Sequence, residues 1–418
     1  MSFVILNNKR RLLKSRKLFT IAITFGDSYF FSHSDFEWLF CLSSDITNAM
    51  KNTRVYVGLS GGVDSSVTAA LLKQKGFEVI GVFLRPWQPD WIPCTWRQDR
   101  RDAIRVAAHL QIPFLEIDTS EEYKQEVVEY MIDGYKKGIT PNPDILCNRE
   151  IKFGIFKKWV DSHGGGIIAT GHYAQTEDGK LLCGADPLKD QSYFLAGVSP
   201  IILKDVIFPL GGLPKTETRK LAEKFNLPTR AKKDSQGVCF LGMIDMKEFL
   251  SHYIEFIKGD IVNKNGEIIG THDDTRLYTL GERHGFTVFD EFKKSHAWYV
   301  VDRDIEQNIL VVDTQFIQKE SETNYTIVLS STVDHGISCY PATSGIQPLD
   351  YASGAVTVSQ KLKAQMRYHG TRYPVTSYDV KSSTVTISSS EYPTVGQMLV
   401  VYDGQRIVWS GTIKQVTI

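Results

Sequence analysis

The stretch 55–67, VYVGLSGGVDSSV, constrains the fold more than any other part of the chain. Residues suited to a buried strand run into Ser60-Gly61-Gly62, then Asp64-Ser65-Ser66, then a helical pattern. A glycine turn between a strand and a helix lets backbone N–H groups approach an anion, and the helix start adds its positive end. Ser60, Ser65 and Ser66 are candidate hydroxyl donors. The Walker spacing G-x-x-x-x-G-K-[ST] is absent, and so is G-x-G-x-x-G. The turn therefore predicts a phosphate held without a P-loop lysine, and Asp64 among the donors calls for Mg²⁺ to offset repulsion.

The pattern after this turn is βαβ. Strand-like 78–84 is followed by a helix over 97–110 with Ala103, Val106, Ala107 and Leu110 on one face. Strand-like 113–119 precedes a helix opened by Ser120, where SEEY offers an N-cap and early acids. A further strand follows the glycine turn at 164–166. This rhythm implies a parallel sheet with helices on both faces. From about residue 208 it stops: a capped helix around 213–229 gives way to short turn-rich pieces. After about 286, alternating strands with frequent turn signals predict a small antiparallel barrel. The expected domains are 50–207, 208–285 and 286–418.

Residues 1–49 do not fit this plan. The first 17 carry Lys9, Arg10, Arg11, Lys14, Arg16 and Lys17 and no acid, which suits a transit peptide or a basic arm. The reading preferred here starts the folded protein at Met50 and expects 1–49 to pack poorly on the rest. No apolar run reaches the ~20 residues of a membrane span. Forty-eight basic side chains balance 48 acidic ones, so a polyanion must be held by local patches. Cys41, Cys94, Cys147, Cys183, Cys239 and Cys339 are widely spaced, which argues against a zinc site and for reduced thiols.

Two of those cysteines sit in loops with chemical character. In 140–153, TPNPDILCNREIKF, two prolines fix the chain around Asn142, with Asp144 and Cys147 three apart. In 234–242, DSQGVCFLG, Cys239 follows Arg230, Lys232 and Lys233, whose charge favours thiolate. ATGHY, 169–173, lies at the carboxyl end of a strand, where open parallel sheets bind ligands.

SGGVDSS resembles the PP-loop of ATP pyrophosphatases, which cleave ATP between the α- and β-phosphates. GLSGGVDSSV, NPDILCNREIKFG, ATGHYA, KDQSYFL and DSQGVCF together resemble the tRNA-specific 2-thiouridylases, bacterial and mitochondrial, from about residue 52 to the C-terminus. The resemblance implies an α/β PP-loop domain, a small central domain and a C-terminal antiparallel β-barrel. It implies ATP-dependent 2-thiolation of the wobble uridine of tRNA. ATP with Mg²⁺ would be held by Gly58, Leu59, Ser60, Gly61, Gly62, Val63, Asp64, Ser65 and Gly171. Leu84 would touch adenine where the family commonly has Met. Cys239 would carry a persulfide sulfur from a relay protein or cysteine desulfurase. Cys147 would free that sulfur or resolve the persulfide, and Asp144 would move protons beside a base pocket shaped by Asn142 and Pro143.

The resemblance also assigns tRNA contacts to His172, Lys189, Asp190, Gln191, Arg367, Tyr368 and Gln397. Lys and Arg at 215, 219, 220, 224, 230, 232 and 233, and at 361, 363, 367 and 372, are expected phosphate contacts. Tyr193 could support a flipped base or be core. The chain departs from the family at His272-Asp273-Asp274, at Glu282 in YTLGERHG and over 286–296. A cytoplasmic monomer is expected, or a mitochondrial matrix protein if the first residues are a transit peptide. Another PP-loop adenylating ligase, argininosuccinate synthase-like, and a catalytically inactive tRNA-binding homologue are the alternatives.

Overall fold

The computed structural model describes residues 53–418 except 95, 235, 236, 238, 240, 241, 243, 293–296, 315–321, 336–355 and 358–361. The chain divides into two units, Met1–Ala49 and Met50–Ile418. The first, with the expectation about how it packs, lies outside the described residues, as do Cys41, Cys339 and Lys361.

The first sheet is β1 (Arg54–Gly58), β2 (Glu78–Arg85), β3 (Phe114–Asp118), β4 (Ile167–Ala169) and, after a hairpin of β5 (Ala174–Glu177) and β6 (Lys180–Cys183), β7 (Val206–Ile207). Its order is β3-β2-β1-β4-β7, every pairing parallel. Strand alternation sends Val55 and Val57 to one face, against helices α1 (Val63–Gln74) and α2 (Trp96–Leu110). Tyr56, Ile80, Val82 and Ile168 go to the other, against Phe153, Phe156 and Val160. Both faces are covered, which is why these strands read as nearly unbroken apolar runs.

Two long helices complete this part: α3, 120–136, and α4, 143–162. Each is α-helical at its ends and π-helical in the middle, over Lys124–Glu129 and Cys147–Ile155. The cap expected of Ser120 does not form. Thr119 occupies the cap position, its hydroxyl bonds Arg85 O instead, and Ser120 Oγ donates to Asp118 Oδ1 at 2.6 Å. Helix Lys215–Lys224 has Pro214 at its cap without a side-chain cap bond, and Asp186 Oδ2 accepts from Lys215 N at 2.9 Å.

The strands expected after residue 286 divide between two sheets. β8 (Gly259–Asn263), β9 (Ile268–His272), β10 (Thr287–Val288), β11 (Tyr299–Asp304) and β12 (Ile309–Asp313) form one, ordered β10-β9-β8-β12-β11. The other contains β13 (Thr323–Asp334), β14 (Val356–Thr357), β15 (Leu362–Gln365), β16 (Arg372–Asp379), β17 (Thr384–Ser389), β18 (Met398–Asp403) and β19 (Arg406–Thr417). Its path β13-β17-β16-β15-β18-β19 closes through β13–β19 into a six-stranded antiparallel barrel around Trp409, Ile327, Val401 and Ile413. Closure gives each of the six strands on this path a partner on both sides.

The β5–β6 hairpin, between β4 and β7 in the chain, joins the barrel sheet, with Leu182 opposite Arg406 on β19 and Cys183 N bonded to Gln405 O at 2.8 Å. Tyr193 is core: 2% exposed, its hydroxyl lies 3.1 Å from Met366 O and 2.9 Å from Met398 O. Among the described residues no helix is long and apolar enough to cross a membrane. Tyr193→Phe leaves these buried carbonyls without the hydroxyl. We expect a loss of about 1–3 kcal/mol, read as a lower denaturation midpoint at unchanged slope in urea.

Candidate active site

The phosphate-type turn is braced by its own serines. Ser60 N lies 3.2 Å from Ser65 Oγ, Ser60 Oγ is 3.2 Å from the same atom, and Ser65 Oγ donates to Gly62 O at 3.2 Å. Gly62 is the N-cap of α1 and makes no side-chain cap bond, so the helix start presents its N–H groups. Gly61 has φ +74°, and a Cβ there would lie 2.2 Å from Asp99 O. Ser66 is not an available donor: it is fully buried, gives its hydroxyl to Gly62 O at 2.6 Å and receives Thr229 Oγ1. Leu59, Val63 and Leu84 point into the core, so Leu59 and Val63 offer the turn only their backbones. Gly171 follows β4 at the point where strand order reverses, and a Cβ on it would lie 2.8 Å from Asp64 C and Ser65 N.

Asp64 already has a cation. Lys215 Nζ binds its two oxygens at 2.7 and 2.8 Å, and Tyr173 OH lies 3.0 Å from Oδ1. Lys215 also reaches Asp234 at 3.0 Å, and Arg219 and Lys189 join Asp234 from other sides. Burial opposes the Asp234 carboxylate, but Lys215, Lys189 and Arg219 hold its pKa below the usual range. Lys232 Nζ ties the same segment to the turn, bonding Gly61 O at 3.0 Å, Asp99 at 2.7 Å and Asp102 at 2.9 Å. The expected repulsion at Asp64 is thus met by lysine within the protein.

The two cysteines that sequence placed 92 positions apart meet: Cys147 Sγ and Cys239 Sγ are 3.0 Å apart, both as free thiols. Asp144 Oδ1 accepts from Cys239 N at 2.9 Å, and Tyr123 OH donates to Cys239 O at 2.6 Å. The π-helical stretch of α4 explains a further neighbour. In a π-helix residues five apart align, and Lys152 lies five after Cys147. Its ammonium lies 3.5 Å from His172 Nε2, and its charge favours the Cys239 thiolate. Thr170 Oγ1 holds His172 Nδ1 at 2.7 Å.

These neighbours separate the thiols. The bond from Cys147 is the largest influence on Cys239; with Lys152 it outweighs burial and brings the pKa down to about 7. Burial and the adjoining Cys239 push Cys147 well up. Burial also raises Asp144, against the Cys239 N–H and Lys152. One thiolate paired with one protonated donor is the arrangement thiol exchange requires.

Comparison with known proteins supports the same grouping. A family model described as the tRNA methyl transferase HUP domain matches residues 53–243, and the tRNA methyl transferase PRC-barrel domain matches 247–314. The tRNA-specific 2-thiouridylase MnmA of Listeria monocytogenes is 40% identical over 372 residues, 87% of this chain and 95% of that protein. Its counterparts in Akkermansia muciniphila and Enterococcus faecalis are each 39% identical, covering 87% of this chain and 99% and 96% of theirs. The chain belongs to the tRNA-specific 2-thiouridylase family.

The positions at which the family resemblance placed RNA contacts are spread around this site. Asn142 caps α4 through Ile145 N, with Pro143 at the first helical position. Asp190 accepts from Gly184 N and Ser192 N, Gln191 Oε1 from Tyr173 N, and Gln397 Nε2 donates to Thr140 O. Tyr368 packs on Phe194 at 4.3 Å. Arg367 and Lys363 are exposed, and Lys189 keeps 43% side-chain exposure. Of the seven basic residues in 212–233, Lys215, Arg219 and Lys232 turn inward to the phosphate turn and Asp234, while Lys220 and Arg230 pair with nearby Glu217 and Glu223.

Sequence reasoning missed Lys152, Tyr123, Tyr173 and Asp234. The signal for Lys152 was present in NREIKF, but ordinary α-helical spacing turns a residue five positions on away from Cys147. Diamide oxidation should join Cys147 to Cys239 before Cys94 or Cys183 reacts, with peptide mapping under non-reducing conditions showing the cross-linked pair.

Proposed function

We propose that the protein replaces O2 of the wobble uridine of tRNA with sulfur, in a reaction that consumes ATP. The observation that carries this reading is the Cys147–Cys239 pair, 3.0 Å apart beside Asp144, on a helix whose Lys152 faces His172, next to the Gly171 that packs on the glycine turn. A nucleotide turn needs no thiols to bind ATP; two facing thiols need an electrophile, and adenylation makes one.

In this reading the uracil O2 attacks the α-phosphorus of ATP and pyrophosphate leaves into the turn, with Asp144 moving the proton at the base. ATP sits on Ser60–Ser65 and Gly171, and Leu84 borders the adenine. Mg²⁺ comes with the nucleotide, and the part-exposed Asp64 carboxylate is the residue it would meet. The outer sulfur of a Cys239 persulfide attacks C2 and AMP leaves with O2. With Cys239 no longer a thiolate, Cys147 gives up its proton and its sulfur attacks Cys239 Sγ, leaving sulfur on the base and a Cys147–Cys239 disulfide that a dithiol reductant reopens. A relay protein or cysteine desulfurase supplies the persulfide. Residues 53–252 carry the chemistry, while the sheet at 259–313 and the barrel from 323 present surface to the RNA.

Methyl transfer is the second reading, favoured by the description of the matching family models. It has no use for facing thiols. The full chain is incubated with unmodified tRNA, ATP-Mg²⁺ and a persulfide donor, and the digested nucleosides are analysed. We expect 2-thiouridine. Cys147→Ala and Cys239→Ala should each lower its formation by about 10³-fold or more, and the double variant should be no worse, because the thiols act as a unit. Methyluridine formed from a methyl donor, or full thiolation by Cys239→Ala, overturns the reading. Gly61→Ala should weaken ATP binding at least about tenfold by isothermal titration, because its Cβ collides with Asp99 O and its φ is left-handed.

A further inference from the structure

We propose that Arg372 is a positioning residue for the RNA: from the first position of β16 it holds the Asp190 carboxylate, and through it the loop that carries Lys189 and Gln191. The inference deepens the proposed thiolation and rests on it for the identity of the RNA.

The sequence reads Arg372 as a basic residue awaiting phosphate, but the structure turns it inward. Its guanidinium carbon lies 3.7 Å from the centre of the Tyr402 ring, a cation–π stack. Each guanidinium nitrogen meets a protein group. Nε faces Gln365 Oε1 at 3.3 Å and Nη1 faces Gly404 O at 3.3 Å. Nη2 lies 3.2 Å from Cys183 Sγ and 3.8 Å from Asp190 Oδ2. Gln365, Tyr402 and Gly404 belong to the barrel, whereas Cys183 ends β6 and Asp190 lies in the loop beyond it. Arg372 therefore bridges the barrel and the loop that follows the β5–β6 hairpin. An arginine that grips phosphate offers its planar fork to the ligand, and this fork is engaged within the protein.

Asp190 carries the negative charge at this joint. Burial, and after it Asp190, pushes the Cys183 pKa up against Arg372 and Ser192, so the sulfur meets the guanidinium as a neutral acceptor. Asp190 in turn ties the two ends of its loop together. Its Oδ1 accepts from Gly184 N at 2.8 Å and from Ser192 N at 3.0 Å, and Ser192 Oγ donates to Oδ2 at 3.0 Å. Between those ends Leu188 is 78% exposed, and Lys189 faces solvent with part of its side chain. The loop is also pinned from the other side: Gln191 N donates to Tyr173 O at 2.9 Å and Gln191 Oε1 accepts from Tyr173 N at 3.0 Å. Tyr173 is two residues beyond the Gly171 that packs on the phosphate turn. A loop held on both sides presents Lys189 and Gln191 at a fixed place relative to that turn, and less ordering remains to be done when RNA binds.

Acting through the loop and touching phosphate directly have different signatures. Groups in one network lose their effects jointly, whereas independent phosphate contacts lose them additively in free energy.

The first test is hydrogen exchange on the full chain without RNA or ATP. Arg372→Met should speed exchange of peptides covering 184–192 by about fivefold or more, while peptides from 63–74 and 323–334 keep their native rates. General loosening of the barrel would speed 323–334 as well, and that result overturns the inference, as does unchanged exchange at 184–192. The second test is the affinity for unmodified tRNA. Arg372→Met and Lys189→Met should each weaken it by about fivefold or more, and the double variant should be clearly weaker than neither single variant. ATP affinity by isothermal titration should stay native in Arg372→Met. Losses that multiply in the double variant overturn the inference in favour of a direct contact. Should Arg372→Met fail to fold by circular dichroism, Asp190→Asn, which removes the charge and keeps an oxygen for the two amides, carries the exchange comparison. A native chain that binds no tRNA overturns the proposed function and this inference with it; native tRNA binding with unchanged loop exchange overturns this inference alone.

Discussion

The site depends on how closely the end of β4 approaches the phosphate turn. Gly171 lies so near the backbone of Asp64 and Ser65 that a single added carbon would sit 2.8 Å from them. That contact is available because β4 lies beside β1 in the sheet, at the reversal of strand order. From there the chain serves two purposes in adjacent residues. Gly171 packs on the turn, and His172 reaches Lys152, on the same helix as Cys147. One short strand thus holds the glycine turn and the helix of Cys147 in register.

Charge is distributed along the same line. Lys215 joins Asp64 of the turn to Asp234, and Lys232 joins the Gly61 carbonyl to α2. Both grip the segment that leads to Cys239. Side chains that read as a basic RNA surface are therefore spent in part on the interior. The overall balance of 48 basic and 48 acidic residues is consistent with this: many cations here answer an anion within the protein.

Much of this was legible beforehand. VYVGL followed by SGGVDSS has one natural reading, because a doubly buried strand and a two-glycine turn leave few alternatives, and the turn stands where it was placed. The meeting of Cys147 with Cys239 was legible only through resemblance, since no spacing rule links residues 92 apart. Lys152 was hidden by an assumption of α-helical period that the π-helical stretch of α4 breaks. Ser66 looked like a ligand because a hydroxyl in a phosphate turn is the usual donor, yet burial and its bond to Gly62 O commit it to bracing. The strands after 286 were recognisable one by one, but their sorting into two sheets depends on long-range pairings such as β12 with β8, which local alternation does not encode.

The β5–β6 hairpin has a consequence for modularity. Leu182 pairs with Arg406, so a strand donated by the amino-terminal part extends a sheet built from the carboxyl-terminal end of the chain. Tyr193 buries its hydroxyl against the barrel's own carbonyls a few residues later. A gene cut between residues 314 and 322 would look clean on paper. It would leave β6 without its neighbour and Tyr193 with a stranded polar group, so neither fragment is self-sufficient. The barrel is part of the architecture that shapes the site and not a cartridge that lineages can exchange.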